Sequence, residues 1–184
     1  MNCKPVFCIC GASGVGISSV AADLISRKSD LYVVLNGVLT DAPCFPENLR
    51  EVRRYWNDVC FDIASQTERS VVYYIYGYAD MHRKVPKERL AKMHFITLIC
   101  EESVLRKRVY EKLGERANKV LPYKVDGKEI TRTEGSLLRN RYFKIYHDEH
   151  EFQNMILIDT TDMTVSEVAD RVEAYIKEQV SLSE

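Results

Sequence analysis

Short apolar runs rich in β-branched residues alternate along this chain with longer stretches whose apolar residues recur every three or four positions. The runs fall at residues 5–10 (PVFCIC), 31–35, 70–76 (SVVYYIY), 94–100 (HFITLIC) and 154–158 (NMILI). Each has the length of a strand buried on both faces, as parallel strands are. Helical spacing predicts helices over residues 18–27, about 47–66, 101–113, 136–147 and 165–180. Strand and helix alternate without a linker, a repeat or a low-complexity tract. The order predicts one α/β domain over residues 1–184, a doubly wound parallel β-sheet of about five strands flanked by helices. In such a sheet ligands sit beyond the C-terminal ends of the strands, so the loops there are where function is sought.

The first of those loops carries the most chemistry. Residues 11–19 read GASGVGISS, with Gly11, Ala12, Ser13, Gly14, Val15, Gly16, Ile17, Ser18 and Ser19 joining the first strand to the first helix. They match the phosphate-cradling pattern G-x-x-x-x-G-K-[ST] at every defined position except the lysine, which is Ile17. Glycines let successive backbone N–H groups point into one concavity, and the following helix turns its positive end toward an anion. Nucleotide or phosphate binding is therefore expected, against the alternative of a glycine-rich turn with no ligand. An isoleucine supplies no donor to the outer phosphates. Catalysis on this loop calls for another Lys or Arg.

Composition narrows the partners. A formal net charge of −1 over 184 residues gives no electrostatic reason to expect nucleic acid or an anionic membrane, so small ligands are the expected partners. No apolar run approaches the ~20 residues that span a bilayer, and the glycine loop begins too early for a signal peptide to precede it. A soluble, cytoplasmic protein is expected. The six cysteines (Cys3, Cys8, Cys10, Cys44, Cys60 and Cys100) form no CxxC pair and read mainly as buried free thiols, with Cys8 and Cys10 on one side of the first strand. His147 and His150 are spaced to share a helix face, but no third ligand accompanies them, and a solvated helix end is the expected role.

The phosphate loop, the segment REVRRYWND at residues 50–58, the strand VVYYIYG and the segment FITLICEESVLRKRV at 95–109 together resemble the P-loop nucleoside and nucleotide kinases, and the small bacterial kinase-like ATPases in particular. The resemblance covers the order of elements over most of the chain. It implies a nucleotide-kinase-like P-loop NTPase fold with a small lid near residues 114–135, ATP and Mg2+ as cofactors, and Ser18 as the hydroxyl that binds magnesium. It also implies that Asp41, past the second strand, accepts the acceptor's proton, although Asp41 equally suits a turn before Ala42 and Pro43.

Further candidates each have a structural alternative. Asp80 is either a magnesium-side carboxylate or a helix cap. Arg53 and Arg54 either contact the substrate or face water. Trp56 lines a base pocket or anchors its helix. Tyr74, Tyr76 and Tyr78 alternate along one face of the third strand, as a stacking surface or as half-buried packing. Arg106, Arg108 and Arg116 lie on and after the helix that follows the fourth strand, where the resemblance implies lid arginines, with Arg106 and Arg116 catalytic. A solvated helix face is the other reading. The stretch from 114 to 135 is polar, carries Lys119, Lys124, Lys128 and Arg132, and contains a hairpin-like VDGK turn. It is a source for the missing cation, as are Arg139 and Arg141.

Two functions follow. One is an ATP-dependent phosphotransferase acting on a small acceptor, a nucleoside or nucleotide, with a substitute cation. The other is a catalytically silent nucleotide-binding regulator that kept the fold and lost turnover.

Overall fold

Alternation along one central strand organises the molecule, whose computed structural model describes residues 3–35, 49–76, 87–149 and 154–183. In β1 (Val6–Gly11) every residue is buried. Val6, Cys8 and Cys10 face one apolar cluster while Phe7 and Ile9 face another, because successive strand side chains point to opposite faces. The strands β2 (Tyr32–Leu35), β3 (Ser70–Tyr76), β4 (Met93–Ile99) and β7 (Met155–Asp159) complete a five-stranded sheet in the order β2-β3-β1-β4-β7. All its pairings are parallel.

Helices cover both faces. α1 (Ile17–Ser26) and α6 (Val165–Ser181) bury Val20, Leu24, Val172 and Ile176 against Phe7 and Ile9. α2 (Leu49–Gln66) buries Cys60, Phe61 and Ala64 on the opposite face, beside Cys8 and Cys10. Arg27 pins α1 to α6, reaching Asp23 at 2.7 Å, Asp170 at 2.8 Å and Glu173 at 3.1 Å. This is the α/β, parallel-sheet architecture that the alternating pattern predicts.

The second half departs from simple alternation. After a short α3 (Lys87–Leu90) and then α4 (Glu102–Leu113), a 3-10 turn (Gly114–Asn118) leads into a separate antiparallel pair, β5 (Val120–Val125) and β6 (Lys128–Thr131). Asp126 (φ 50°) and Gly127 (φ 76°) both take left-handed backbone at its tip, the conformation of a two-residue hairpin turn. α5 (Arg132–Glu149) begins four residues before the periodicity suggests. Thr131 and Glu134 form a reciprocal cap, in which Thr131 N donates to Glu134 Oε2 at 2.6 Å and Glu134 N donates to Thr131 Oγ1 at 3.2 Å. Of the cysteines, Cys8, Cys10, Cys60 and Cys100 are buried free thiols, and Cys44 lies outside the described residues. Burial pushes the Cys60 thiol up to about 12. Among the described residues no helix is long and apolar enough to cross a membrane.

Candidate nucleotide site

β1 lies between β3 and β4, so the loop that leaves it emerges at the middle of the sheet's C-terminal edge. Gly14 (φ 100°) takes left-handed backbone there, and a Cβ on it would stand 2.8 Å from Val109 Cγ2 and 2.9 Å from Leu105 Cδ1. The loop therefore lies directly on α4, at a distance that only glycine allows. Gly16 (φ 104°) is the N-cap of α1, carries no side-chain capping bond, and would meet nothing within 4 Å if given a Cβ. The amino end of α1 thus opens to a space that no side chain fills among the described residues. Exposed helix N–H groups and the helix dipole favour an anion in that space, so the cradle fits the phosphates of a nucleotide.

Ile17 occupies the first helical position but turns its side chain inward. It is 2% exposed and packs in the cluster with Ala12, Val15 and Val20. At position 17 the chain offers a ligand its backbone, and the side chain belongs to the core. Ser18 follows in the first turn of α1 and is partly buried.

A cavity of about 510 Å³ runs from this loop between α4 and the start of α6, walled by Arg108, Thr160, Met163 and Val165. Thr160, just past β7, organises it. Its hydroxyl oxygen lies 3.2 Å from the carbonyl of Val15 in the loop and 3.0 Å from that of Ile99 at the end of β4. Arg108 donates from Nη1 to Thr160 Oγ1 at 3.0 Å and from Nη2 to the Thr160 carbonyl at 2.8 Å. Loop, strand end and helix are tied through one threonine that is 1% exposed. The sequence does show a threonine pair after the last strand, at the sheet edge where ligands bind. That pair escaped the candidate set because one hydroxyl gives no motif of its own.

A second cavity, of about 410 Å³, meets the loop at Ser13 and is bounded by Lys112, Tyr123, Arg132, Ser136 and Arg139. Arg106 and Arg116 line neither cavity. Arg116 is exposed and donates from Nε to the Leu113 carbonyl at 3.4 Å, while Arg106 is exposed near Glu102 and Glu134. Arg141 is committed to Glu102, and this hydrogen-bonded ion pair holds the Glu102 carboxyl below its ordinary range. Tyr74 is 8% exposed within the core cluster, so it packs and offers no stacking surface. Asp41, Tyr78, Asp80 and His150 lie outside the described residues, as do the side chains of Arg53, Arg54, Trp56, Tyr76 and His147. The backbone of Tyr76 pairs with Gly11, which sets the end of β3 beside the start of the loop. Among the described residues no group of three His, Cys, Asp or Glu side chains is placed to hold a metal ion.

The same architecture occurs in solved structures. A tunicamycin resistance protein from Deinococcus radiodurans superposes with a TM-score of 0.63 at 19% identity, over 94% of this chain and 95% of that one. A gluconokinase from Sinorhizobium meliloti 1021 gives 0.60 at 16% identity over 98% and 96%. A shikimate kinase from Acinetobacter baumannii gives 0.55 at 12% over 96% and 95%. The chain shares the fold of these P-loop-type kinases. No protein-family profile and no curated protein sequence matches it.

Proposed function

We propose that this protein binds ATP with Mg2+ at residues 11–19 and transfers the γ-phosphoryl group to the hydroxyl or phosphate oxygen of a small acceptor, a nucleoside or nucleotide. The observation that carries this reading is the uncapped start of α1 at Gly16, open on the ligand side, beside a cavity of about 510 Å³ that can take the rest of a nucleotide. The kinase names of the structural neighbours agree with it. In this reading the loop amides hold the phosphates, Ser18 ligates the magnesium, and Arg106 and Arg116 act over the transferred group. Arg53, Arg54 and Tyr76 bind the acceptor. Asp41 takes the acceptor proton as the bond from the γ-phosphorus to the bridging oxygen breaks and the bond to the acceptor oxygen forms. Residues 114–135 form the lid, and the protein works in the cytoplasm.

Calorimetry with Mg-ATP tests the reading. Saturable binding with a stoichiometry near one is the expected result, and no binding at millimolar ligand by a folded protein overturns it. Asp41→Asn should lower turnover roughly 100-fold while leaving ATP affinity nearly unchanged. A second reading, a nucleotide-binding regulator without turnover, is favoured by one observation, the burial of Ile17 where the loop's lysine would stand. Nucleotide binding without transfer to any acceptor would select it.

A further inference from the structure

Position 17 offers the phosphate loop no cation, while α5 carries two arginines that line a cavity meeting the same loop. Residues 132, 135, 136 and 139 of α5 all line the cavity of about 410 Å³ that meets the phosphate loop at Ser13. Their spacing of three, four and seven residues is that of a single helix face, so Arg132 and Arg139 stand two turns apart on one stripe. The face between them is kept narrow by Gly135 and Ser136. A Cβ on Gly135 would lie 2.6 Å from Leu121 Cδ1, which shows how closely β5 lies over that part of the helix.

α5 is held in place by bonds that involve neither arginine side chain. Asn140, fully buried, accepts from the backbone N–H of Cys100 at 3.2 Å and donates to the Cys100 carbonyl at 2.7 Å, fixing the helix against the end of β4. Thr133 Oγ1 donates to the Ala117 carbonyl at 3.0 Å, and Arg132 N donates to the Lys119 carbonyl at 3.0 Å, which fixes the base of the hairpin. The guanidinium groups of Arg132 and Arg139 have no hydrogen-bond or ion-pair partner among the described residues. This contrasts with Arg141 on the same helix, which is paired with Glu102. Lys112 lines the cavity as well, and among the described residues no carboxylate does. Arg132 and Arg139 thus bring two unpaired guanidinium groups to a cavity that touches the phosphate loop, a composition that suits a polyanion.

We propose that Arg132 and Arg139 supply the positive charge that position 17 lacks, contacting the outer phosphates of a nucleoside triphosphate seated on the Gly11–Ser19 loop. The burial of Ile17 and the unpaired arginines are then two halves of one arrangement. The core gains an aliphatic side chain at the start of α1, and the phosphate charge is met from α5. The proposal rests on nucleotide binding at the loop.

The test compares Mg-ATP with Mg-ADP on the full chain by calorimetry, in the wild type and in an Arg132→Gln, Arg139→Gln double variant checked for folding by thermal melting. The wild type should prefer ATP by about tenfold or more, the double variant should lose most of that preference through weaker ATP binding alone, and Arg139→Lys with Arg132 intact should keep part of it. A wild type that prefers ATP, with a folded double variant of unchanged preference, overturns the proposal and leaves the nucleotide reading standing. Equal losses for ATP and ADP overturn it too, because the arginines would then act away from the outermost phosphate. A folded wild type that binds neither nucleotide overturns the nucleotide reading itself, and the proposal with it.

Discussion

The hydroxyl of Thr160 and the carbonyl of Val15 lie 3.2 Å apart across 145 residues of sequence, joining the edge of the last strand to the middle of the phosphate loop. Thr160 also accepts from Arg108, and its backbone N–H donates to the Ile99 carbonyl at 2.8 Å. Replacing it with Val keeps the shape and removes the hydroxyl. The Val15 and Ile99 carbonyls then lose the one hydroxyl proton they lie against, and Arg108 loses one acceptor, at a cost of about 1–3 kcal/mol. Thr160→Ser restores the hydroxyl and should cost less than about 1 kcal/mol. Urea denaturation should separate the two, and Mg-ATP affinity should fall in the Val variant only. Equal behaviour of the two variants would show that the hydroxyl does not set the loop.

Gly14 and Gly16, both on left-handed backbone in the loop, should respond differently to alanine. Both substitutions place a Cβ on positive-φ backbone, at about 1–2 kcal/mol each. At Gly14 the Cβ also meets Val109 and Leu105 at 2.8 and 2.9 Å, whereas at Gly16 it meets nothing within 4 Å. Gly14→Ala should therefore be the less stable by a further ~1–3 kcal/mol. Gly16→Ala should stay closer to the wild type in stability and lose mainly nucleotide affinity. Thermal melting of both variants without ligand checks the order, which would be reversed if the space before α1 were filled.

These contrasts show why part of the site was legible in the sequence and part was not. Strand, loop and helix at residues 5–27 follow from local pattern, because a glycine-rich turn between a buried strand and an amphipathic helix has few other uses. The parallel order follows from the alternation of strands and helices. The hairpin tip was legible from Asp126 and Gly127, which supply positive φ. The early start of α5 was written in Thr131 and Glu134, a capping box hidden inside a polar segment. Thr160 and Arg108 left no such trace, since their pairing depends on α4 and the end of β7 meeting at the sheet edge. The distinction between Arg139, facing a cavity, and Arg141, paired with Glu102, is a matter of helix phase that composition does not reveal.

His94 should make stability fall at mildly acidic pH. Its ring stacks on Phe7 with centroids 4.9 Å apart, and Nδ1 lies 3.2 Å from the Tyr175 hydroxyl. Burial, with Lys92 nearby, lowers its pKa from 6.5 to about 4. The folded state thus holds the ring neutral while the unfolded chain takes up a proton below about pH 6.5. Stability from this group is complete above that pH, is lost as the pH falls toward about 4, and levels off below it. The loss is roughly 3 kcal/mol at most. His94→Phe removes the titrating group, so the difference between wild type and variant should narrow between pH 7 and pH 4 in denaturant titrations. A constant difference would show that the ring titrates alike in the folded and unfolded chains.

Ile17→Lys restores the loop's residue pattern, and its outcome follows from what surrounds position 17. The isoleucine is 2% exposed in the core, so exchanging it for a lysine whose ammonium must reach the cleft forfeits aliphatic packing, at about 2–4 kcal/mol of stability. A loop with no cation nearby would gain on the order of 100-fold in phosphoryl transfer or ATP hydrolysis from the new donor. If Arg132 and Arg139 already hold the outer phosphates, the added lysine duplicates a contact, and turnover should change by less than about tenfold. The same substitution in the Arg132→Gln, Arg139→Gln background should recover much more, because there it replaces charge that has been removed. Ile17→Met, similar in volume and uncharged, separates the packing loss from the electrostatic gain. A large gain in the wild-type background, on the order of 100-fold, would show that no other cation serves the loop and that the arginines of α5 face a different ligand.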